Sequence, residues 1–209
     1  MCFNLNVKAQ DDENFYMQLD EGDEFVWEVV ELNEYYFKKT FGSEPNFEIG
    51  DKIRIVITEL IEREIQWRIT VERWDYKENW GERGDVIGYT VYRNPDLFVD
   101  NIFIPSPTDD YLQKAMEVLD DNIYDVSGNS ITKRVKSEIG VDYRWKKQFD
   151  LKGFMIREAI YTYELDIVIA MIEGGHRIIP FGFYFIGFII FALLALVIIS
   201  FKKKKIFIR

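Results

Sequence analysis

In Ile65-Gln-Trp-Arg-Ile-Thr-Val-Glu-Arg-Trp74, apolar and polar residues alternate. The apolar side chains at the odd positions from 65 to 71 would face one side of a β-strand, and the polar ones the other. Residues 51–60, just before this stretch, alternate in the same way. Two such strands in succession are typical of an antiparallel sheet with one packed and one solvated face.

Strand patterns also cover 24–32 and 86–92, and they return from Asn122 to Ile172. Turn signals at 127–129 and 150–153 divide this last part into an antiparallel meander, and the hairpin turn at 150–153 uses Gly153 for a positive φ. Its final strand is apolar on both faces around 167–172, which favours a central or covered position.

Two helices interrupt the strands. Asn33 would cap a short helix over 34–41 that stops at Gly42. In the second helix, Ser106 would be the cap and Pro107 the first helical residue. We therefore expect an α+β fold, mainly antiparallel β, with a curved meander sheet and one or two packed helices.

The C-terminal segment 178–201 contains no charged residue. As a helix it would be roughly 35 Å long, enough to cross a hydrocarbon core of about 30 Å. We predict a transmembrane helix over 178–201, preceded by a linker over 174–177 and followed by a basic cytoplasmic tail over 202–209. The residues flanking this anchor are Arg177, Lys202, Lys203, Lys204 and Lys205.

Charge sets the expected orientation. The tail holds 5 of the 26 basic residues, so 21 basic and all 36 acidic residues precede it, a net charge of −15. Because lysines and arginines cluster on the cytoplasmic side, we expect the C-terminus inside and the acidic domain outside the cell membrane. Residues 1–12 have no apolar export signal. We expect that a signal precedes Met1, and the alternative is a tail-anchored protein with a cytosolic domain.

The part before the anchor divides into a flexible segment over 1–20 and a β-rich domain over 21–173. Its acidity makes nucleic acid an unsuitable partner, since phosphate binding needs the opposite sign. One cysteine and one histidine leave little for disulfide, zinc or triad chemistry. We find no phosphate-binding or dinucleotide motif. We therefore expect no cofactor, no metal and no catalytic residue.

Among the sequence features, the aromatic residues give the strongest indication of a binding site. Trp27, Trp67, Tyr143 and Trp145 fall on the apolar faces of predicted strands. A curved sheet could enclose an apolar ligand cavity among these four side chains. The simpler interpretation is an aromatic-rich packed core, and we favour it.

Two resemblances accompany these patterns. With its Gly-Asp-Glu-Phe-Val-Trp-Glu-Val stretch and the Tyr-Asp-Val-Ser-Gly-Asn and Phe-Asp-Leu-Lys-Gly hairpins, the chain resembles uncharacterised single-pass surface proteins of archaea. That resemblance implies architecture only. The hairpin meander also resembles the sheet of LolA-type lipoprotein carriers, which implies an apolar-ligand cavity.

We therefore expect a membrane-anchored surface domain that acts as a non-catalytic interaction module. Its partners would be the lipid bilayer and an unknown protein or apolar ligand on the outer face. The first alternative is the binding or carriage of an apolar or lipid ligand in a cavity of the curved sheet. The second is a carboxylate-based hydrolase, which would need two convergent, partly buried carboxylates.

Overall fold

The computed structural model describes residues 15–75, 77, 82 and 84–174. The described residues up to Glu173 belong to one compact unit, which ends there. They form two α-helices, one 3-10 turn and nine strands. In chain order the elements are β1 (Glu24–Leu32), α1 (Glu34–Phe41), β2 (Lys52–Glu62), β3 (Gln66–Asp75), β4 (Asp85–Tyr92), a 3-10 turn (Pro95–Leu97), α2 (Thr108–Met116), β5 (Tyr124–Ser127), β6 (Ser130–Val135), β7 (Tyr143–Phe149), β8 (Met155–Thr162) and β9 (Ile167–Glu173).

All nine strands join one antiparallel sheet in the order β4-β3-β2-β1-β9-β8-β7-β6-β5. The chain thus builds two meanders, β1–β4 and β5–β9, which meet where the first and last strands pair. β9 is the central strand, as its apolar sequence predicts, and Val168 and Ala170 are fully buried. Bulges, which bend strands, interrupt four ladders. They lie between Val29 and Glu31, Ile57 and Glu59, Gln148 and Phe149, and Ile160 and Tyr161.

One face of the sheet carries the main hydrophobic core, and we call it the core face. The alternation of β3 is confirmed from Trp67 onward, since Trp67, Ile69 and Val71 are all buried. The expectation for Ile65 is wrong, because this residue precedes β3 and is 59% exposed. Side chains from outside the strands belong to the same cluster: Phe15 and Leu19 before β1, Phe103 and Ile104 after β4, and Tyr111 and Leu112 of α2. The chain's own segments therefore pack against this face.

The second helix begins differently from the prediction. It starts at Thr108, Pro107 occupies the cap position, and no side chain caps the first turn. The expectation that Ser106 caps this helix is wrong, because its hydroxyl donates to the carbonyl oxygen of Leu151 at 2.7 Å instead. Leu112 and Ala115 of this helix are buried.

The first helix has the predicted ends. The Asn33 side chain accepts a hydrogen bond from the Tyr36 amide at 3.1 Å, and Gly42 ends the helix with φ +74°. The helix contacts β9. At its C-terminal end, the loop after β6 approaches so closely that a Cβ at Gly140 would lie 2.1 Å from the Thr40 carbonyl oxygen. Glycine at position 140 is what permits this contact.

The packed domain includes residues ahead of the predicted boundary at 21. Phe15 and Leu19 are buried, and the backbone of Tyr16 pairs with that of Ser106. Among the described residues, no helix is long and apolar enough to cross a membrane. The predicted transmembrane helix over 178–201 and the basic tail lie outside the described residues.

Candidate functional site

Two of the four predicted cavity residues are core side chains. Trp27 and Trp67 are 4% and 2% exposed, and both belong to the main hydrophobic cluster. The Trp27 indole nitrogen donates to the Met155 carbonyl oxygen at 2.9 Å, and its ring lies 4.9 Å from that of Phe154. The Arg93 guanidinium lies 4.0 Å from the Trp67 ring centre.

The other two lie on β7. Tyr143 contacts Phe41 of α1, with ring centres 5.5 Å apart. Trp145 is half-buried, and its indole nitrogen donates to a Glu158 carboxylate oxygen at 2.6 Å. The apolar ligand cavity stays a prediction, and Arg177 and the four tail lysines lie outside the described residues.

A charged cluster occupies the core face of β7 and β8. The Lys147 ammonium lies 2.7 Å from a carboxylate oxygen of Asp100, and Lys133 lies 3.8 Å from the other oxygen. Lys147 is cross-strand partner to Glu158, and the ammonium also lies 4.6 Å from the Trp145 ring centre. An almost fully buried lysine thus has a carboxylate and an aromatic ring as neighbours.

Electrostatics favours a structural role for this cluster. Burial raises the pKa of the Glu158 carboxyl, while Lys147 and the hydrogen bond from Trp145 oppose that rise. The carboxyls of Glu158 and Asp100 are both partly buried, and such a pair is the feature that would favour a hydrolase. However, the Asp100 carboxylate is already engaged by the Lys147 ammonium in an ion pair. We therefore interpret the cluster as an ion pair that holds the segment around Asp100 on the sheet.

The opposite face of β7 and β8 carries a different set of side chains. In its middle row Lys146 is the cross-strand partner of Ala159, and in the next row Gln148 is the partner of Arg157. Because alanine is short, it leaves a hollow between its longer neighbours. The hollow has a volume of about 40 Å³, and its lining residues are Lys146, Gln148, Arg157, Ala159 and Tyr161.

Cations dominate this surface. Arg144 lies on the same face as Lys146, two residues earlier on β7, and its guanidinium lies 5.4 Å from the Tyr163 ring centre. Within the described part of the chain, Arg144, Arg157 and Lys146 form no ion pair with a carboxylate. The Nε atoms of Arg144 and Arg157 are buried without a hydrogen-bond partner. This contrasts with Lys147 on the core face.

The Asp120 carboxylate serves local structure. Asp120 accepts hydrogen bonds from the backbone and side chain of Asn122, both at 2.9 Å, and these bonds lower the pKa of its carboxyl. Among the residues that the structure describes, no group of three or more His, Cys, Asp or Glu side chains could hold a metal ion.

The sequence contains one signal for the charged cluster that the alternation alone does not explain. Tyr143, Trp145 and Phe149 alternate at inward positions, and Lys147 interrupts them. A lysine at an inward position needs a partner, but the identity of that partner depends on tertiary structure. The hollow depends on which residue of β8 stands beside Lys146, and this is fixed by the hairpin register.

Comparison with known proteins adds no assignment. The chain matches no protein-family model, no curated protein and no solved structure.

Proposed function

We propose that this chain is a membrane-anchored surface protein whose β domain acts as a non-catalytic interaction module. The apolar segment 178–201 would hold it in the cell membrane. The lysine-rich tail would lie in the cytoplasm and the acidic domain outside. The partner would be met on the outer side of the membrane.

The observation that carries this proposal is the contrast between the two faces of the sheet. The core face is occupied by the chain's own segments, including Phe103 and Tyr111, which are fully buried. The opposite face of β7 and β8 presents cations that no carboxylate of the described domain neutralises. Lys146 is exposed, and Arg144 and Arg157 are half-buried. Unpaired charge at such a surface supports contact with a second molecule.

Site-specific photo-crosslinking in cells tests this proposal. A photoreactive residue replaces Lys146 on β7, Arg68 on the equivalent face of β3, or Asp110 on α2, in three separate full-length variants. All three positions are exposed. We expect a discrete adduct at position 146 and little at 68 or 110. Equal adduct formation at all three positions, or none at 146, would contradict the proposed surface.

The carrier alternative makes a different prediction. A carrier of apolar ligands would take up an apolar fluorescent probe, and that uptake would depend on Trp27 and Trp67. The tight burial of both side chains supports the interaction module over the carrier.

A further inference from the structure

We propose that the hollow on the opposite face of β7 and β8 is a binding site for a phosphate-type oxyanion. Its cationic lining residues are Lys146 and Arg157, and Gln148, Ala159 and Tyr161 complete the lining. The inference deepens the proposed function and rests on it, because it names the chemical group that the interaction surface would recognise.

Register places these residues in adjacent rows. Arg144 stands beside Tyr161, Lys146 beside Ala159, and Gln148 beside Arg157. Because alternate residues of a strand share a face, all six side chains lie on the same side of the sheet. Ala159 is 1% exposed and forms the floor, so the longer side chains surround it.

The two strands directly beside β7 and β8 add no carboxylate in the rows of the hollow. On β6 the same rows hold Ser130, Thr132 and Arg134. On β9 the rows of Ala159 and Arg157 hold Ala170 and Ile172. Arg134 is the cross-strand partner of Arg144, and its guanidinium donates to the carbonyl oxygens of Asp121 and Asn122 at 3.0 and 2.9 Å. No carboxylate of β6 or β9 therefore stands in the rows of Lys146 and Arg157.

Buried donors give an independent indication of a ligand. The Nε atoms of Arg144 and Arg157 are inaccessible to solvent and have no partner in the described structure. A buried donor left without an acceptor is destabilising, and more so when the group is charged. Such groups are rare in native proteins and call for an explanation. An oxyanion in the hollow would supply acceptor oxygens beside the guanidinium of Arg157, which lines it.

The shape and chemistry of the hollow select the class of ligand. A volume of about 40 Å³ suits a group of a few heavy atoms and is too small for a lipid chain. Guanidinium groups bind phosphate oxygens in a bidentate manner, and a lysine adds a point charge. The group could be free phosphate or the phosphate of an anionic lipid headgroup, since the proposed anchor would keep the domain near lipid.

Titration of inorganic phosphate into the full-length chain tests the site, with binding followed by broadening of the phosphorus NMR line. The chain is held in nanodiscs of neutral phosphatidylcholine. In Arg157→Gln we expect the dissociation constant to rise about tenfold or more, because a charge-assisted bond is lost. Arg68→Gln is the matched control, an exposed arginine on the same face of β3, and should leave binding unchanged. If Arg157→Gln does not fold, Lys146→Gln replaces it, since Lys146 is exposed.

A second arm distinguishes the two sources of phosphate. In nanodiscs containing phosphatidylglycerol, an anionic lipid that binds the site would compete with free phosphate and weaken its apparent affinity. An unchanged affinity for free phosphate would assign the site to a soluble oxyanion. No phosphate binding, or equal loss in Arg157→Gln and Arg68→Gln, would overturn the inference. The crosslinking experiment could give an adduct only at position 146 while phosphate does not bind. That result would support the interaction surface and reject only the oxyanion site.

Discussion

Lys147 and Asp100 form a largely buried ion pair, with 2.7 Å between the ammonium nitrogen and a carboxylate oxygen and side chains only 6% and 17% exposed. Lys147 belongs to β7, and Asp100 to the segment between the 3-10 turn and α2. The pair therefore joins the sheet to the segment that carries Phe103, a fully buried core residue.

Removing one partner of this pair should destabilise the domain. We expect Lys147→Met to lower the free energy of unfolding by about 3–5 kcal/mol, because the carboxylate of Asp100 is left without its closest cation. Lys133→Met is the matched control, since Lys133 approaches the same carboxylate at 3.8 Å but is 35% exposed. It should cost no more than about 1 kcal/mol. Denaturant unfolding of residues 1–173 measures both, and equal losses would contradict a special role for Lys147.

The raised pKa of the Glu158 carboxyl predicts that the stability of the domain depends on pH. Burial raises the pKa of its carboxyl in the folded state above the ordinary value of 4.5, so the folded state holds the proton more tightly than the unfolded state. The resulting stability is present below about pH 4.5 and is lost as pH rises through the folded pKa. Glu158→Gln should remove this loss while preserving an acceptor for Trp145.

The measurement is the difference in unfolding free energy between the parent domain and Glu158→Gln across a pH series. Relative to the variant, the parent should become less stable as pH rises. A difference that stays constant, or that moves in the opposite direction, would show that Glu158 is not protonated preferentially in the folded state.

Core packing predicts a large effect for Trp67. We expect Trp67→Ala to lower the free energy of unfolding by about 3–5 kcal/mol, through lost burial and the void that remains. Trp74→Ala, on the opposite face of the same strand, should cost less because Trp74 is only half-buried. A loss below about 1.5 kcal/mol for Trp67→Ala, well under the truncation range, together with uptake of an apolar probe by the parent domain, would favour the carrier alternative.

A glycine pair tests the docking of α1. A Cβ at Gly140 would lie within 3 Å of the Lys39 and Thr40 carbonyl oxygens, whereas one at Gly88 meets nothing within 4 Å. We expect Gly140→Ala to destabilise the domain by about 1–3 kcal/mol. Gly88→Ala should be neutral or stabilise by up to about 1 kcal/mol, since it restricts the unfolded chain. Equal thermal unfolding of the two variants would contradict the close approach.

The strands could be predicted from sequence because alternation is a local property. Residues 66–71 show which side chains face the core, and the apolar run of β9 indicates its central place. The cap of α2 could not be predicted, because the hydroxyl of Ser106 binds a carbonyl 45 residues away. A local pattern does not contain that partner.

The same limit applies to the candidate sites. Lys147 is recognisable as a polar residue at an inward position, but Asp100 lies 47 residues earlier and reaches it only through the tertiary fold. The hollow requires that Ala159 stand beside Lys146, which follows from the register of β7 and β8. Aromatic content was the more visible signal, and it marked the core residues Trp27 and Trp67.

Protease accessibility in intact cells tests the proposed surface location most directly. The full-length chain carries an epitope after Arg209, and protease is added outside the cells. We predict that the β domain is digested while the epitope and the segment from 178 onward remain protected. A protected domain with an accessible epitope would contradict the account and establish the tail-anchored alternative.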